Sequence, residues 1–418
     1  MKNRLLHWIG KVLFFTIAQH SMAHATNTPL DPVTLVVGTR PEIIKMVPVY
    51  WELKRLGIPT RLCSTGQHAD LLQELFQIFQ VQPDDCLQVM RPGQDLAYVT
   101  SAVLEKTTQL FREIHPRVVV VQGDTASAFA AALAAFYLQI PVAHIEAGLR
   151  SGNWMKPFPE EMNRRAISLM SSLHFAPTKQ SHDILLREGI SPERIFCTGN
   201  TVVDTLYWMI RSLETGAQKP NPSLEKLLQE TRQTGQKILL LTAHRRESFH
   251  GGIEQIFEAI RELLLQDPTI TVFYPVHPNP TIRQAIVQAG LPNLPRLHLL
   301  PPLPYPDLVY LLHAADAVAT DSGGVQEETI SLGKRVAVLR NETDRPEGLE
   351  EGLARLTGCS KTAILESIRW LLSPPPSHTL HPFIGNSPFG DGKAGERIGR
   401  VIQEKYYPKS CANTQTRP

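Results

Sequence analysis

Four consecutive valines, Val118-Val119-Val120-Val121, leave room for little but a strand buried on both faces. β-branched side chains fit a pleated surface and resist a helix. With no polar residue at alternate positions, neither face of this strand can meet water. Sheets covered on both sides are parallel sheets, because each parallel connection crosses over a face and usually brings a helix with it. The rest of the chain repeats this pattern. Short runs predicted as strands lie at Val33–Val37, Thr60–Ser64, Val142–Glu146, Leu173–Ala176 and Ile195–Cys197. Between them fall amphipathic stretches predicted as helices, among them Ile43–Leu56, Leu71–Phe79, Ala126–Tyr137 and Glu161–Met170. A second series begins near Lys237, with strands expected at Ile238–Leu241, Thr271–Tyr274, Leu297–Leu300, Ala317–Thr320 and Val336–Leu339.

Two such βα series in 418 residues predict an α/β chain of two Rossmann-like, doubly wound domains facing a cleft. The polar stretch Gly216–Pro222 reads as a surface connection between the series. The domains are expected at 29–205 and 206–387. A helix within Asp391–Tyr407 returns to the first, so that 388–408 belongs with it. Ligands of open parallel sheets bind beyond the carboxyl ends of the strands.

The formal net charge is only +2 and no segment is strongly basic, so nucleic acid is not an expected partner. The five cysteines, Cys63, Cys86, Cys197, Cys359 and Cys411, are odd in number and contain no CxxC pair. That argues against a disulfide framework and a structural zinc site, and fits a reducing compartment. Residues 1–28 are signal-like: Lys2 and Arg4 precede an apolar stretch that ends near Ala23-His24-Ala25. His7 and Lys11 interrupt that stretch, and it is too short to span a membrane. A secretory signal, an interfacial helix giving weak membrane association, and a non-native upstream start all fit it.

The polar motifs stand just after predicted strands. Gly38-Thr39-Arg40-Pro41-Glu42 follows the first, and Arg40 and Lys45 can meet an anion at the helix start beyond it. Gln122-Gly123-Asp124-Thr125 follows the valine run, where either Asp124 or Thr125 can cap the next helix. Glu146 in His144-Ile145-Glu146-Ala147-Gly148 has no evident structural role. Glu160, after Pro159, suits a helix start as well as it suits catalysis. In the second series, His244 is flanked by Arg245 and Arg246, and His277 sits in a proline-bounded loop. Thr320-Asp321-Ser322-Gly323-Gly324-Val325-Gln326-Glu327-Glu328 joins a strand to a helix. Its glycines let backbone amides approach a phosphate, Ser322 can donate a hydroxyl, and Glu328 can accept ribose hydroxyls. Arg345 follows a further strand. The Gly-x-Gly-x-x-Gly dinucleotide fingerprint is missing from both series starts, and no metal-binding run occurs. Neither a redox cofactor nor a metal is expected.

In order, GTRPEIIK, QGDT, HIEAGLRSG, FPEEMNR, TAHRRES, PVHPNP, DSGGVQEE and DRPEG closely resemble the motifs of the non-hydrolysing UDP-N-acetylglucosamine 2-epimerase family. The resemblance runs from about Val33 to Gly358. It implies a GT-B-type fold, a homodimer, a cytoplasmic location and a UDP-N-acetylhexosamine substrate. It places Asp124, Glu146, Glu160 and His244 on catalytic positions, and Arg40, Lys45, Ser322, Gly323, Gly324, Glu328 and Arg345 on nucleotide-sugar positions. The chemistry it implies is elimination of UDP to a 2-acetamidoglucal and re-addition after reprotonation at C2. Departures exist. Gln67-His68 is followed by Ala69-Asp70 where many bacterial members carry an arginine tied to allosteric substrate binding, which argues against substrate activation. Leu303 and Leu308 stand where some members carry Gln and Phe near the nucleotide. A GT-B glycosyltransferase, a non-catalytic UDP-sugar sensor and an epimerase of a related UDP-sugar remain alternatives. The acidic trio Asp124, Glu146 and Glu160 argues against the first, and the second need not retain it.

Overall fold

A computed structural model of the protein describes residues 31–67, 69–91, 93–245, 251–373 and 387–408. The signal-like residues 1–28, His68, Arg246, Glu247 and Cys411 lie outside the described residues. The first series supplies β1 (Val33–Val37), β2 (Thr60–Ser64), β3 (Asp85–Cys86), β4 (Val118–Gln122), β5 (Val142–Ile145), β6 (Leu173–Ala176) and β7 (Ile195–Cys197). Its helices are α1 (Arg40–Arg55), α2 (Ala69–Ile78), α3 (Leu96–Ile114), α4 (Ala126–Tyr137), α5 (Glu160–Met170), α6 (Lys179–Arg187) and α7 (Thr201–Glu214). The second supplies β8 (Lys237–Thr242), β9 (Ile270–Pro275), β10 (Leu297–Leu300), β11 (Ala317–Thr320), β12 (Val336–Val338) and β13 (Ala354–Leu356). Its helices are α8 (Pro222–Gln233), α9 (Gly252–Gln266), α10 (Pro280–Gln288), α11 (Tyr305–Ala314), α12 (Gly323–Ser331), α13 (Glu347–Glu350) and α14 (Lys361–Leu372), and α15 (Ala394–Tyr406) follows.

Both sheets are wholly parallel. The first has the order β3-β2-β1-β4-β5-β6-β7 and the second β10-β9-β8-β11-β12-β13. In each the chain starts centrally, winds one way, then reverses, so the switch point falls between β1 and β4, and again between β8 and β11. The valine run behaves as its composition requires. All four valines are fully buried. Val118 and Val120 join the core beneath α1 and α7, while Val119 and Val121 join the core beneath the alanine-rich α4. The second sheet does the same: Leu239 and Leu241 enter the core with α9 and α14, and Ile238 and Leu240 enter the one with α8 and α11.

Helix α7 touches both series. Thr205 donates to the Ile44 carbonyl at 2.6 Å and Tyr207 to the Ser331 carbonyl at 3.1 Å. The boundary expected at 205/206 falls inside this helix. Trp208 packs at a tilt against Trp51 and Phe79, and Phe79 against Tyr305, at ring separations of 4.9, 5.6 and 6.0 Å. α15 packs on α1: a Cβ on Gly395 would lie 2.8 Å from Pro48 Cβ. Three details differ from expectation. Helix α1 begins at Arg40, three residues before the expected start, with Thr39 at its N-cap and Pro41 in its first turn. Strand β5 ends at Ile145, and Glu146 turns out of the sheet with φ +66°. The short edge strands β3 and β13 were not anticipated. No helix among the described residues is long and apolar enough to cross a membrane.

Candidate active site

The turn after β1 is fixed by Glu42. This buried carboxylate accepts from the Gly38 amide at 3.0 Å, the Thr39 hydroxyl at 2.8 Å and the Thr125 hydroxyl at 2.7 Å. Burial outweighs these bonds and raises its pKa to about 6. Glu42 thereby ties the β1–α1 turn to the β4–α4 turn across the switch point. Gly38 has to be glycine, since a Cβ there would lie 2.6 Å from the Thr65 hydroxyl. One turn along α1, Lys45 is buried between two acids. Its Nζ donates to Glu146 and lies 3.3 Å from Glu327 on α12. Arg40, at the helix start, instead donates to the Leu303 carbonyl at 3.2 Å.

Glu146 stands at the centre. Beside Lys45 it meets the Gln122 side-chain amide, Asn200 Nδ2 at 3.4 Å and Arg345 Nη2 at 3.6 Å. Burial alone would push its pKa up, but the charges of Lys45 and Arg345 prevail and hold it below the usual carboxylate range. Arg345 comes from the loop after β12. Its Nε donates to Glu327 at 2.7 Å and its Nη1 to Asp344 at 2.6 Å. Lys45 and Glu146 lie beyond the first sheet, and Glu327 and Arg345 beyond the second, so the carboxyl ends of the two sheets face each other here.

The second acidic pair surrounds Arg164 of α5. The turn before α4 resolves the two capping options: the cap is Thr125, whose hydroxyl accepts from the Ala128 amide. Asp124 is left to pair with Arg164 at 2.5 Å. Glu160 opens α5, and one of its oxygens is buried without a partner. Burial first, and the nearby Asp124 charge second, raise its pKa. Arg164 also reaches Asp344 at 3.1 Å, crossing to the second sheet.

Beyond β8, the amides of His244 and Arg245 donate to the fully buried Asp321 at 2.5 and 2.7 Å. His244 Nδ1 lies 3.2 Å from the other Asp321 oxygen, and its ring stacks on His277 at 5.4 Å with 9° between the planes. Asp321 therefore orients the imidazole from behind. The next residue, Ser322, stands at the N-cap of α12 with no side-chain capping bond, leaving its hydroxyl uncommitted to the helix. Gly323 lies flat against Arg345, because a Cβ would sit 2.6 Å from the guanidinium carbon. A Cβ at Gly324 would meet nothing within 4 Å. Helix-start amides, Arg345 and Lys45 together make a site suited to a diphosphate. Glu328 accepts from the Tyr305 hydroxyl at 2.9 Å, and burial raises its pKa to about 7.

Comparison with known proteins points the same way. The sequence profile described as UDP-N-acetylglucosamine 2-epimerase matches residues 52–403. The chain belongs to the UDP-N-acetylglucosamine 2-epimerase family. It is 42% identical over 367 residues to the UDP-N-acetylglucosamine 2-epimerase of Bacillus subtilis (strain 168), covering 88% of this chain and 93% of that one. It is 40% identical over 375 residues to the probable UDP-N-acetylglucosamine 2-epimerase of Ralstonia solanacearum, covering 90% and 99%. Among solved structures, the Neisseria meningitidis UDP-GlcNAc 2-epimerase bound to UDP-GlcNAc superposes with a TM-score of 0.82 at 39% identity, covering 89% of this chain and all (100%) of that one.

Within this family member, the geometry brings Lys45, Glu146 and Arg345 into one cluster and sets Asp124 beside Arg164. Electrostatics link Glu160 to that pair. Arg40 and Glu328 are held by other partners, Leu303 and Tyr305. Sequence reasoning gave no role to Arg164, Asp321, Glu327 or Asp344, although all four lie in the quoted motifs, nor to Gln122 and Asn200. The usable signal for Asn200 was the same strand-end rule, since Gly199-Asn200-Thr201 follows β7.

Proposed function

We propose that the protein interconverts UDP-N-acetylglucosamine and UDP-N-acetylmannosamine by eliminating and re-adding UDP. The observation that carries this reading is the meeting of Lys45 and Arg345 over Glu146 beside the α12 N-terminus, with Asp124 in the turn after β4 and Glu160 at the start of α5 close by. Family membership supports it, and the Neisseria relative was solved with UDP-GlcNAc bound.

The C2 proton of the sugar is not acidic, because no carbonyl is attached to C2. Elimination removes that obstacle. A base takes the C2 proton as the C1–O bond breaks, the C–H electrons form the C1–C2 double bond, and the bonding pair leaves on the β-phosphate oxygen of UDP. UDP then attacks C1 of the 2-acetamidoglucal, and an acid delivers a proton to the other face of C2. Inversion needs two acid/base groups, each worth ~10²–10⁴-fold. Asp124, Glu146 and Glu160 are the candidates. Glu160, whose pKa is raised by burial and by the neighbouring Asp124, suits delivery. Asp124 suits removal. Arg345, Lys45, Arg40 and the Ser322-Gly323-Gly324 turn stabilise the departing diphosphate, with His244 steadied against Asp321 alongside. Glu328 receives the ribose hydroxyls.

In this reading two bodies, 29–205 with 388–408 and 206–387, close on the nucleotide sugar and keep water from the glycal. The protein acts in the cytoplasm, where nucleotide sugars are made. It is a homodimer and supplies an activated mannosamine for surface polysaccharide. The test is proton NMR of the protein with UDP-N-acetylglucosamine in D₂O. The expected result is the manno isomer with deuterium at C2. Free N-acetylmannosamine with UDP would mark hydrolysis instead. Binding without exchange would overturn the substrate assignment and direct the assay to related UDP-N-acetylhexosamines.

A further inference from the structure

We propose that Arg164 is a positioning residue that couples diphosphate occupancy at Arg345 to the freedom of the Asp124 carboxylate. The inference rests on the function proposed above. Arg164 sits one turn beyond Glu160 on α5, its side chain only 5% exposed. One guanidinium nitrogen, Nη2, lies 2.5 Å from Asp124 and 3.2 Å from Asp344 Oδ2. The other, Nη1, lies 3.1 Å from the same Asp344 oxygen and 3.6 Å from Glu161. The third donor, Nε, is buried with no partner, so the fork is not saturated.

Asp344 is the shared element. Its Oδ1 receives Arg345 at 2.6 Å and Arg340 at 3.3 Å, while its Oδ2 receives Arg164. It is almost wholly buried, and these guanidinium charges overcome burial to hold its pKa well below the usual range. A buried carboxylate cannot be left uncompensated cheaply. When a diphosphate draws Arg345 toward itself, Asp344 keeps only Arg340 and Arg164. Its pull on Arg164 rises, and the guanidinium shifts toward Asp344 and away from Asp124. Asp124 is then released to take a proton only when UDP-sugar is in place. In the empty cleft, Arg164 keeps it occupied. Lysine cannot substitute here, because a single ammonium lacks the fork that spans two carboxylates.

The experiment compares the full-length protein with Arg164→Lys, Asp344→Asn and the double variant. Each is measured for UDP affinity by calorimetry, for kcat and KM by C2 deuterium incorporation, and for the pH dependence of kcat/KM. Arg164→Lys should bind UDP as the wild type does yet lose ~10²-fold in kcat, the cost of a misplaced catalytic group. The acidic limb of its pH profile should move, since the fork that ties the acids of the cleft together is gone. Asp344→Asn should bind UDP more tightly, because Arg345 loses a competing acid, and still lose kcat. The double variant should be no slower than the slower single, as two links in one chain. Wild-type kcat and an unmoved pH profile in Arg164→Lys would overturn the inference, as would additive losses or a defect confined to KM. If Arg164→Lys does not fold, Asp344→Asn decides alone: weaker or unchanged UDP binding overturns the coupling. If the wild type itself places no deuterium at C2 of any UDP-N-acetylhexosamine, the proposed function has failed. The UDP affinities then judge the coupling separately.

Discussion

Burial pushes the acids of the cleft up in pKa, and their partners decide whether that rise survives. Glu146, between Lys45 and Arg345, is held low, whereas Glu328, with only a tyrosine hydroxyl to meet it, is raised to about 7. Glu146→Gln should therefore leave UDP affinity intact or improved, since both cations lose a competing carboxylate. Its kcat should fall by ~10²–10⁴-fold if Glu146 handles a proton. Calorimetry with UDP and the deuterium assay check the two halves independently. For Glu328 the sign is the reverse of an ion-paired acid. The folded protein holds this proton where the unfolded chain has lost it. The contribution to stability is intact below the unfolded value of 4.5 and is lost as pH rises through about 7. Glu328→Gln removes that loss. Its melting temperature relative to wild type should climb between pH 5 and pH 8, while its UDP affinity falls because one of two accepting oxygens becomes a donating amide. A constant difference in melting temperature across that range would show that Glu328 titrates normally.

At the scale of elements, two close approaches can be tested with one methyl group each. Gly323 opens α12 directly beneath Arg345, so Gly323→Ala should displace the guanidinium and weaken UDP binding about tenfold or more, or about 1.4 kcal/mol. A variant binding UDP normally would mean that Arg345 is free to move aside without cost. On α15, a Cβ at Gly399 would lie 2.5 Å from Glu52 Cγ on α1. Gly399→Ala should destabilise the protein by about 1–3 kcal/mol through overpacking, read in urea unfolding, with kcat unchanged. The same elements show what a sequence reveals. Strands β1, β4 and β11 were legible because every residue in them is buried, and a buried strand advertises itself by composition. Strands β3 and β13 were not, since two or three residues with at most one buried among them take their conformation from a neighbour's edge. Candidate residues at strand ends, such as Asp124 and His244, were legible by position. Arg164 and Glu327 were not, because a charge within a helix looks solvated until another sheet covers it.

For the molecule as a whole, the buried histidine pair in the first sheet sets a limit on acid stability. His144 of β5 and His174 of β6 are register partners, both fully buried. His144 Nε2 lies 2.8 Å from the Gly123 carbonyl, while its Nδ1 has no hydrogen-bond partner among the described residues and His174 is met only weakly, by the Ser171 backbone. Burial lowers their pKa values to about 4 and about 3. Folding thus requires both rings neutral, while the unfolded chain protonates them near 6.5. Their contribution is complete above 6.5 and is lost as pH falls toward the folded values. At pH 5 the loss from His174 alone is about 2 kcal/mol. The low pKa values of Glu146 and Asp344 add to this only at lower pH, once carboxylates of the unfolded chain begin to protonate. The window between pH 6.5 and 5 therefore separates the histidines from Glu146 and Asp344, and the acids raised by burial, Glu42 and Glu328, titrate there alike in wild type and in a histidine variant. His174→Phe keeps an aromatic ring of similar breadth and removes the titration. Urea unfolding at pH 7.5 and pH 5 should show the wild type losing more stability than His174→Phe by about that amount, with UDP affinity alike in both proteins at pH 7.5. Equal losses would place the origin of acid sensitivity elsewhere. A difference that disappears when UDP is bound would instead tie these two strands to closure of the cleft.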